Sequence, residues 1–190
     1  MRLFIAIKLE KACRDYLKDR ISILQENINQ DLKWVKTENL HITMKFLGEL
    51  PVSKKALLEN SIDNLTKNSE QREASFQGLG AFPKINYPKT LFVRIGKGSD
   101  FLKGLYNSLE ENLTNRGFKP DKRKYTPHLT IARSSRKTDI KGLSADLNSF
   151  TGNDFINIEM PVKRICLMQS ILKRTGPEYR EIYSCTLKER

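Results

Sequence analysis

Histidine is nearly absent from this chain of 190 residues, which carries two, and cysteine is scarce and odd in number, at three. Cys13, Cys166 and Cys185 lie far apart, which excludes a disulfide framework and a cysteine-based metal knuckle and fits reduced thiols in a cytoplasmic protein. Long apolar runs are missing too. Leu3-Phe4-Ile5-Ala6-Ile7 is closed by Lys8, so it reads as a first strand and not as a signal peptide or a membrane span. Acidic residues are the minority charge, with 22 Asp and Glu against 34 Lys and Arg and a formal net charge of +12. That excess points to an anionic partner, nucleic acid before a membrane surface. No Gly/Ser linker or shift of composition divides residues 1–190, so they are expected to form a single bilobal domain.

What the chain does have is a repeated pattern. Both histidines head the same four-residue segment, His41-Ile42-Thr43-Met44 and His128-Leu129-Thr130-Ile131, at an offset of 87. Arg2-Leu3-Phe4-Ile5-Ala6-Ile7 resembles Thr90-Leu91-Phe92-Val93-Arg94-Ile95 at an offset of 88. Between strand and histidine each copy carries a helical stripe: Cys13, Leu17, Ile21, Leu24 and Ile28 in the first, and Leu102, Leu105, Leu109 and Leu113 in the second. Asp100 is placed to cap the second of these, and Gly117 lies beyond its end. Further helices are expected around Leu58, Ile62 and Leu65 and around Leu143, Leu147 and Phe150. Strands are expected at 32–35, 40–47, 76–82, 90–95, around Ile156, at 165–168 and at 179–187, with 83–88 as a loop. Two copies of a near-constant period predict an α+β fold of two pseudo-symmetric lobes. Each is a mainly antiparallel sheet with helices on its outer face, and the active-site cleft lies between them.

Strand parity then assigns faces. Side chains at i and i+2 share a face, so His41 points with Thr43 and His128 with Thr130, while Ile42, Met44, Leu129 and Ile131 point into the core. Imidazole and hydroxyl side by side in each lobe would meet a small anion, most naturally a phosphate, with two ring nitrogens and two hydroxyl donors. Lys45 continues the first face as a counter-charge. Arg133 is the second lobe's cation but has the wrong parity unless the strand ends or bulges near Ala132. A metal is disfavoured, since two histidines without neighbouring Cys, Asp or Glu do not supply three ligands. The basic stretch Arg116, Lys119, Lys122, Arg123 and Lys124 could line a cleft mouth or be a solvated loop. Trp34 and Tyr125, just before the histidine strands, could stack on bases, with core packing the other reading for Trp34.

The segments 39–49 and 127–133, with the 2–7, 78–83, 167–170 and 176–179 segments, resemble the two-histidine phosphoesterases, and within them the LigT-like RNA 2′,3′-cyclic phosphodiesterases, long called 2′-5′ RNA ligases. Met44 and Lys45 stand where Leu and Arg are frequent in that family. The resemblance implies cofactor-free, metal-independent hydrolysis of RNA 2′,3′-cyclic phosphodiester ends to 2′-phosphomonoesters, with His128 as base and His41 as acid. It also implies a monomer acting on RNA ends, tRNA fragments among them, or on nucleotides. Two other readings fit the residues: a phosphodiesterase for a small cyclic or 2′-5′-linked nucleotide, and a non-catalytic RNA- or tRNA-binding module.

Overall fold

The computed structural model describes residues 1–28, 30–135, 137–149, 155–174 and 176–189. Nine strands form one sheet: β1 (Arg2–Lys8), β2 (Leu32–Trp34), β3 (His41–Glu49), β4 (Arg72–Lys84), β5 (Tyr87–Ile95), β6 (His128–Ser134), β7 (Ile156–Val162), β8 (Arg164–Lys173) and β9 (Gly176–Thr186). Their order is β7-β4-β5-β6-β3-β1-β8-β9, with β2 beside β6, and every pairing between them is antiparallel. Among the described residues the α-helices are α1 (Lys11–Asn27), α2 (Lys55–Lys67), α3 (Ser99–Asn115) and α4 (Ile140–Ser149). No helix among the described residues is long and apolar enough to cross a membrane.

The helical stripes do what their period requires. Leu17 and Leu24 of α1, Leu58 and Ile62 of α2, Leu105 and Leu109 of α3 and Leu143 of α4 all enter one core with Ile5, Ile7, Ile42, Val93, Leu129 and Leu167 of the strands. These helices therefore cover one face of the sheet, and among the described residues no helix covers the other. A small second cluster, Phe4, Ala6, Cys166 and Met168 with Tyr179 against it, lies on the open face. Phe150, expected in the α4 stripe, lies outside the described residues.

The repeat seen in the chain is a pseudo-two-fold axis in the sheet. It relates β3 to β6, β1 to β5, β8 to β4 and β9 to β7. The helices α1 and α3, both 17 residues long, correspond at the offset of 88. The lobes are not the two halves of the chain, however. After α2 the chain crosses to build β4 against β5 of the second lobe, and β8 with β9 returns to build on β1 of the first.

Two local expectations are corrected. Residues 83–88 are not a loop: β4 runs to Lys84, β5 starts at Tyr87, and Pro83 faces Pro88 across the hairpin. Only Ile85 and Asn86 turn, and paired prolines sit where no ladder donor is needed. Asp100 is not the cap of α3. That position is Gly98, at φ +81, where an added Cβ would lie 2.8 Å from the Ala74 Cα. At the other end Gly117, at φ +84, lets its own N–H reach the Thr114 carbonyl and that of Phe118 reach Leu113, a Schellman ending.

Candidate active site

Beside the pseudo-dyad, β3 and β6 pair at Ile42 and Leu129, both fully buried in the helix-side core. Antiparallel register then sets His41 across from Thr130 and Thr43 across from His128, and all four side chains project to the open face. Directly opposed residues have Cβ atoms about 5 Å apart and diagonal ones about 7 Å. The two histidines stand on a diagonal, so a group the size of a phosphate fits between their rings.

Each ring is held in the same way. His41 Nδ1 lies 2.6 Å from the Asn39 carbonyl, and His128 Nδ1 lies 2.7 Å from that of Thr126. A carbonyl can only accept, so each Nδ1 carries the hydrogen and each Nε2 keeps its lone pair for the open face. Two aromatic rings brace each imidazole. Phe4 and Tyr179 pack on His41, at centroid distances of 4.9 and 5.2 Å. Phe82 and Phe92 pack on His128, at 5.0 and 5.2 Å. This apolar packing removes water from the charged forms and depresses both basicities. Burial pushes His41 down to about 4, its backbone hydrogen bond opposing and the charges of His128 and Arg133 assisting. Burial likewise pushes His128 below the usual histidine value, against its Thr126 bond and with the Arg133 charge.

Matching bulges decide which cations reach this face. Along β1 and β3 the register passes from Ala6 with Thr43 to Ile5 with Lys45, which makes Met44 the extra residue. Along β5 and β6 it passes from Phe92 with Thr130 to Leu91 with Ala132, which makes Ile131 the extra residue. The two positions are equivalent in the repeat. An inserted residue reverses parity beyond it, so Lys45 and Ala132 turn into the core, whereas Phe46 and Arg133 turn out.

Lys45 is accordingly not on the histidine face. It is 3% exposed on the helix side, where its ammonium contacts Glu110 at 2.5 Å, Asp121 at 3.3 Å and the Lys119 carbonyl at 3.3 Å. Arg133 is exposed on the histidine face and donates to Thr90 Oγ1 at 3.1 Å. Its positive charge lowers the basicity of both histidines.

The aromatic candidates fall elsewhere. Trp34 pairs with Ala132 and packs on the helix-side core, so it is not a base-stacking group on this face. Tyr125 is stacked on Tyr106 at 4.2 Å and donates its hydroxyl to the Thr43 carbonyl at 3.1 Å. Its ring is thereby committed to tying the two histidine strands together from the helix side. Arg123 and Lys124 are exposed on the α3–β6 connection. Nearby Asp121 and Lys119 of that connection contact Lys45 on the helix side, and none of the described contacts brings Arg123 or Lys124 to the histidines.

Several site residues escape sequence reasoning. Arg94 registers with His128, and Lys33 with Arg133. Neither has an ion-pair partner among the described residues, although Lys33 and Arg133 are like charges side by side. Cross-strand register is not visible in a linear pattern, so these neighbours leave no signal there. Phe4 and Phe92 match in the linear repeat at an offset of 88, but Phe92 lies beside Thr130 as Ala6 lies beside Thr43, so the two braces are not equivalent positions in the fold. Among the described residues no group of three or more His, Cys, Asp or Glu could hold a metal ion.

The chain matches a model of the 2′-5′ RNA ligase superfamily over residues 19–173. It is 36% identical over 183 residues to an RNA 2′,3′-cyclic phosphodiesterase of Methanocaldococcus jannaschii, with 96% of this chain and 98% of that one covered. A protein of the same name from Archaeoglobus fulgidus is 33% identical over 183 residues, with the same coverage. In structure it resembles Escherichia coli LigT complexed with 3′-AMP, at a TM-score of 0.75 and 20% identity over 98% of this chain and 97% of that one.

Proposed function

Because this chain belongs to the 2′-5′ RNA ligase superfamily, we propose that it hydrolyses the 2′,3′-cyclic phosphodiester ends of RNA to 2′-phosphomonoesters. Its relatives carry the name of that activity over nearly their whole length. The observation that most supports the chemistry is the pair of imidazoles on neighbouring strands whose Nδ1 atoms are both committed to backbone carbonyls, which leaves both Nε2 atoms for the substrate.

The reaction joins a water oxygen to phosphorus and breaks the bond from phosphorus to O3′. His128 Nε2 takes the proton from the attacking water. His41 Nε2 delivers a proton to the departing O3′. Attack and departure lie on opposite sides of phosphorus, which is why a base and an acid on a diagonal suit the displacement better than two groups on one side. Thr43 and Thr130 donate to the non-bridging oxygens, and Arg133 balances the charge that builds on them. Two imidazoles, two hydroxyls and one guanidinium supply every proton and charge the step needs, so no metal is invoked. The choice of His128 as base follows the family, because the local environments of the two rings are closely alike.

Each proton-transfer role is worth a factor of roughly 10² to 10⁴ in rate. Replacing His41 or His128 by Ala is expected to lower kcat on a cyclic-phosphate oligonucleotide by that amount, with product analysis in the wild type giving the 2′-phosphate. Undiminished turnover in the double variant, a 3′-phosphate product, or activity lost to chelator and restored by metal would each overturn part of this reading.

A further inference from the structure

The two histidine strands are backed by different means. In the second lobe β2 supports β6 through the main chain, with Trp34 registering with Ala132 and the Val35 N–H reaching the Ile131 carbonyl at 2.8 Å. The offset of 87 that relates the histidines carries Trp34 to Asp121 and Ala132 to Lys45. The corresponding segment 119–121 forms no strand. Pro120 stands where β2 has Lys33, and it offers no N–H to a ladder. Side chains take over instead. The Lys45 ammonium holds Asp121 and the Lys119 carbonyl, each at 3.3 Å, while Glu110 accepts from both Lys45 and the Asp121 N–H at 2.5 Å. Tyr106, one turn before Glu110 on α3, donates to Asp121 at 3.1 Å and stacks on Tyr125 with the ring planes 12° apart. Tyr125 closes the series by donating its hydroxyl to the Thr43 carbonyl at 3.1 Å. That carbonyl belongs to the peptide joining Thr43 to the bulged Met44. A bulge interrupts the ladder locally, so this peptide is where β3 most needs a tie from outside.

We infer that Tyr125 is a positioning residue: its hydroxyl fixes the Thr43–Met44 peptide and so aims the Thr43 hydroxyl at the phosphate. The cluster of Lys45, Glu110, Asp121 and Tyr106 holds the phenol in place. This rests on the functional reading above. Thr130 needs no such residue, because β2 supports the bulge beside it from the main chain. The phenol reaches a main-chain carbonyl and not the substrate, so its effect on the reaction must pass through Thr43.

A double-mutant cycle separates positioning from a merely structural tie. Tyr125→Phe keeps the stacked ring and removes one hydrogen bond. Thr43→Val keeps the branched, strand-favouring shape and removes the hydroxyl. Two quantities are measured on the wild type, both single variants and the double variant: kcat/KM on a cyclic-phosphate oligonucleotide, and the calorimetric Kd for sulfate. Positioning predicts that Tyr125→Phe costs about tenfold in kcat/KM when Thr43 is present and almost nothing in Thr43→Val, with the sulfate Kd following the same pattern. In a Thr130→Val background the loss from Tyr125→Phe should remain in full. Equal losses with and without the Thr43 hydroxyl, no loss in the wild type, or the same coupling to Thr130 would each overturn the inference. Failure of the wild type to turn over a cyclic phosphate would count against the catalytic reading alone, since the sulfate cycle still decides whether Tyr125 aims Thr43.

Discussion

A histidine whose basicity lies near 4 is a poor acid at neutrality, because about one molecule in a thousand carries the proton at pH 7. His41 can serve as the acid only if the substrate restores it. A single negative charge about 4 Å from the ring, at an effective dielectric constant of about 20, contributes about 4 kcal/mol. That corresponds to about three pH units and brings His41 from about 4 to about 7. The site is then switched by its own ligand: neutral imidazoles when empty, one imidazolium when an anion lies between them. With only two histidines in the chain, ring resonances in an NMR titration are assigned by one substitution. The expected result is a midpoint near 4 for His41 in the free protein and near 7 or above in saturating sulfate, which stays fully ionised throughout. Arg133→Gln should raise both free midpoints, since the guanidinium depresses both. In kinetics, the kcat/KM profile should lie on the acid side of 6.5 and the kcat profile should move upward. The same shift carries a stability consequence. The folded state binds its His41 proton less readily than the unfolded chain, so the native state is unpenalised above about 6.5. It loses stability as pH falls toward 4, by about 3 kcal/mol in full. A free-protein midpoint at or above 6.5, or no movement with sulfate, would refute the reasoning.

Lys45→Ala should destabilise the protein by about 3 to 5 kcal/mol, read as a lower denaturant midpoint, because it strands Glu110 and Asp121 beside each other. A folded, stable variant with a raised KM alone would restore Lys45 to the substrate face. Gly80→Ala would put a Cβ 2.4 Å from the Phe92 ring and 2.9 Å from Arg94 Nε, and Phe92 braces His128. Overpacking of about 1 to 3 kcal/mol and a fall in kcat are expected from it, checked by melting and by turnover. Wild-type values for both would mean that the brace is slack.

Much of this fold was legible because its signals are local. Helix stripes such as Leu102-Leu105-Leu109-Leu113 and the two His-x-Thr segments need only neighbours along the chain, and so does the duplication that predicts an axis. What was illegible is non-local. Nothing in the sequence announces that the strand after α2 joins the opposite lobe, or that Lys33 and Arg94 come to lie beside the site. The bulges are the instructive case. A strict period of two reads Lys45 as facing the anion and Arg133 as facing away, and one extra residue in each strand reverses both. Because the insertion sits at equivalent positions, it is a property of the repeated unit. The unequal residues that follow it, Lys45-Phe46 in one copy and Ala132-Arg133 in the other, are what make a symmetric frame chemically lopsided.

The crossing of strands between lobes ties catalysis to the completeness of the chain. His41 belongs to an early strand, yet the tyrosine against its ring comes from β9, 138 residues later, and β9 is reached only after the second lobe's helices and strands have been laid down. A nascent chain that has emerged through β6 has both histidines but neither complete lobe, since the second still lacks β7 and the first β8 and β9. Closing such distant contacts is slow, and it makes the first imidazole's environment among the last things to form. A ribonucleotide-handling site built in this way stays unassembled while the chain is incomplete, so a truncated or half-folded product carries the motifs without their setting.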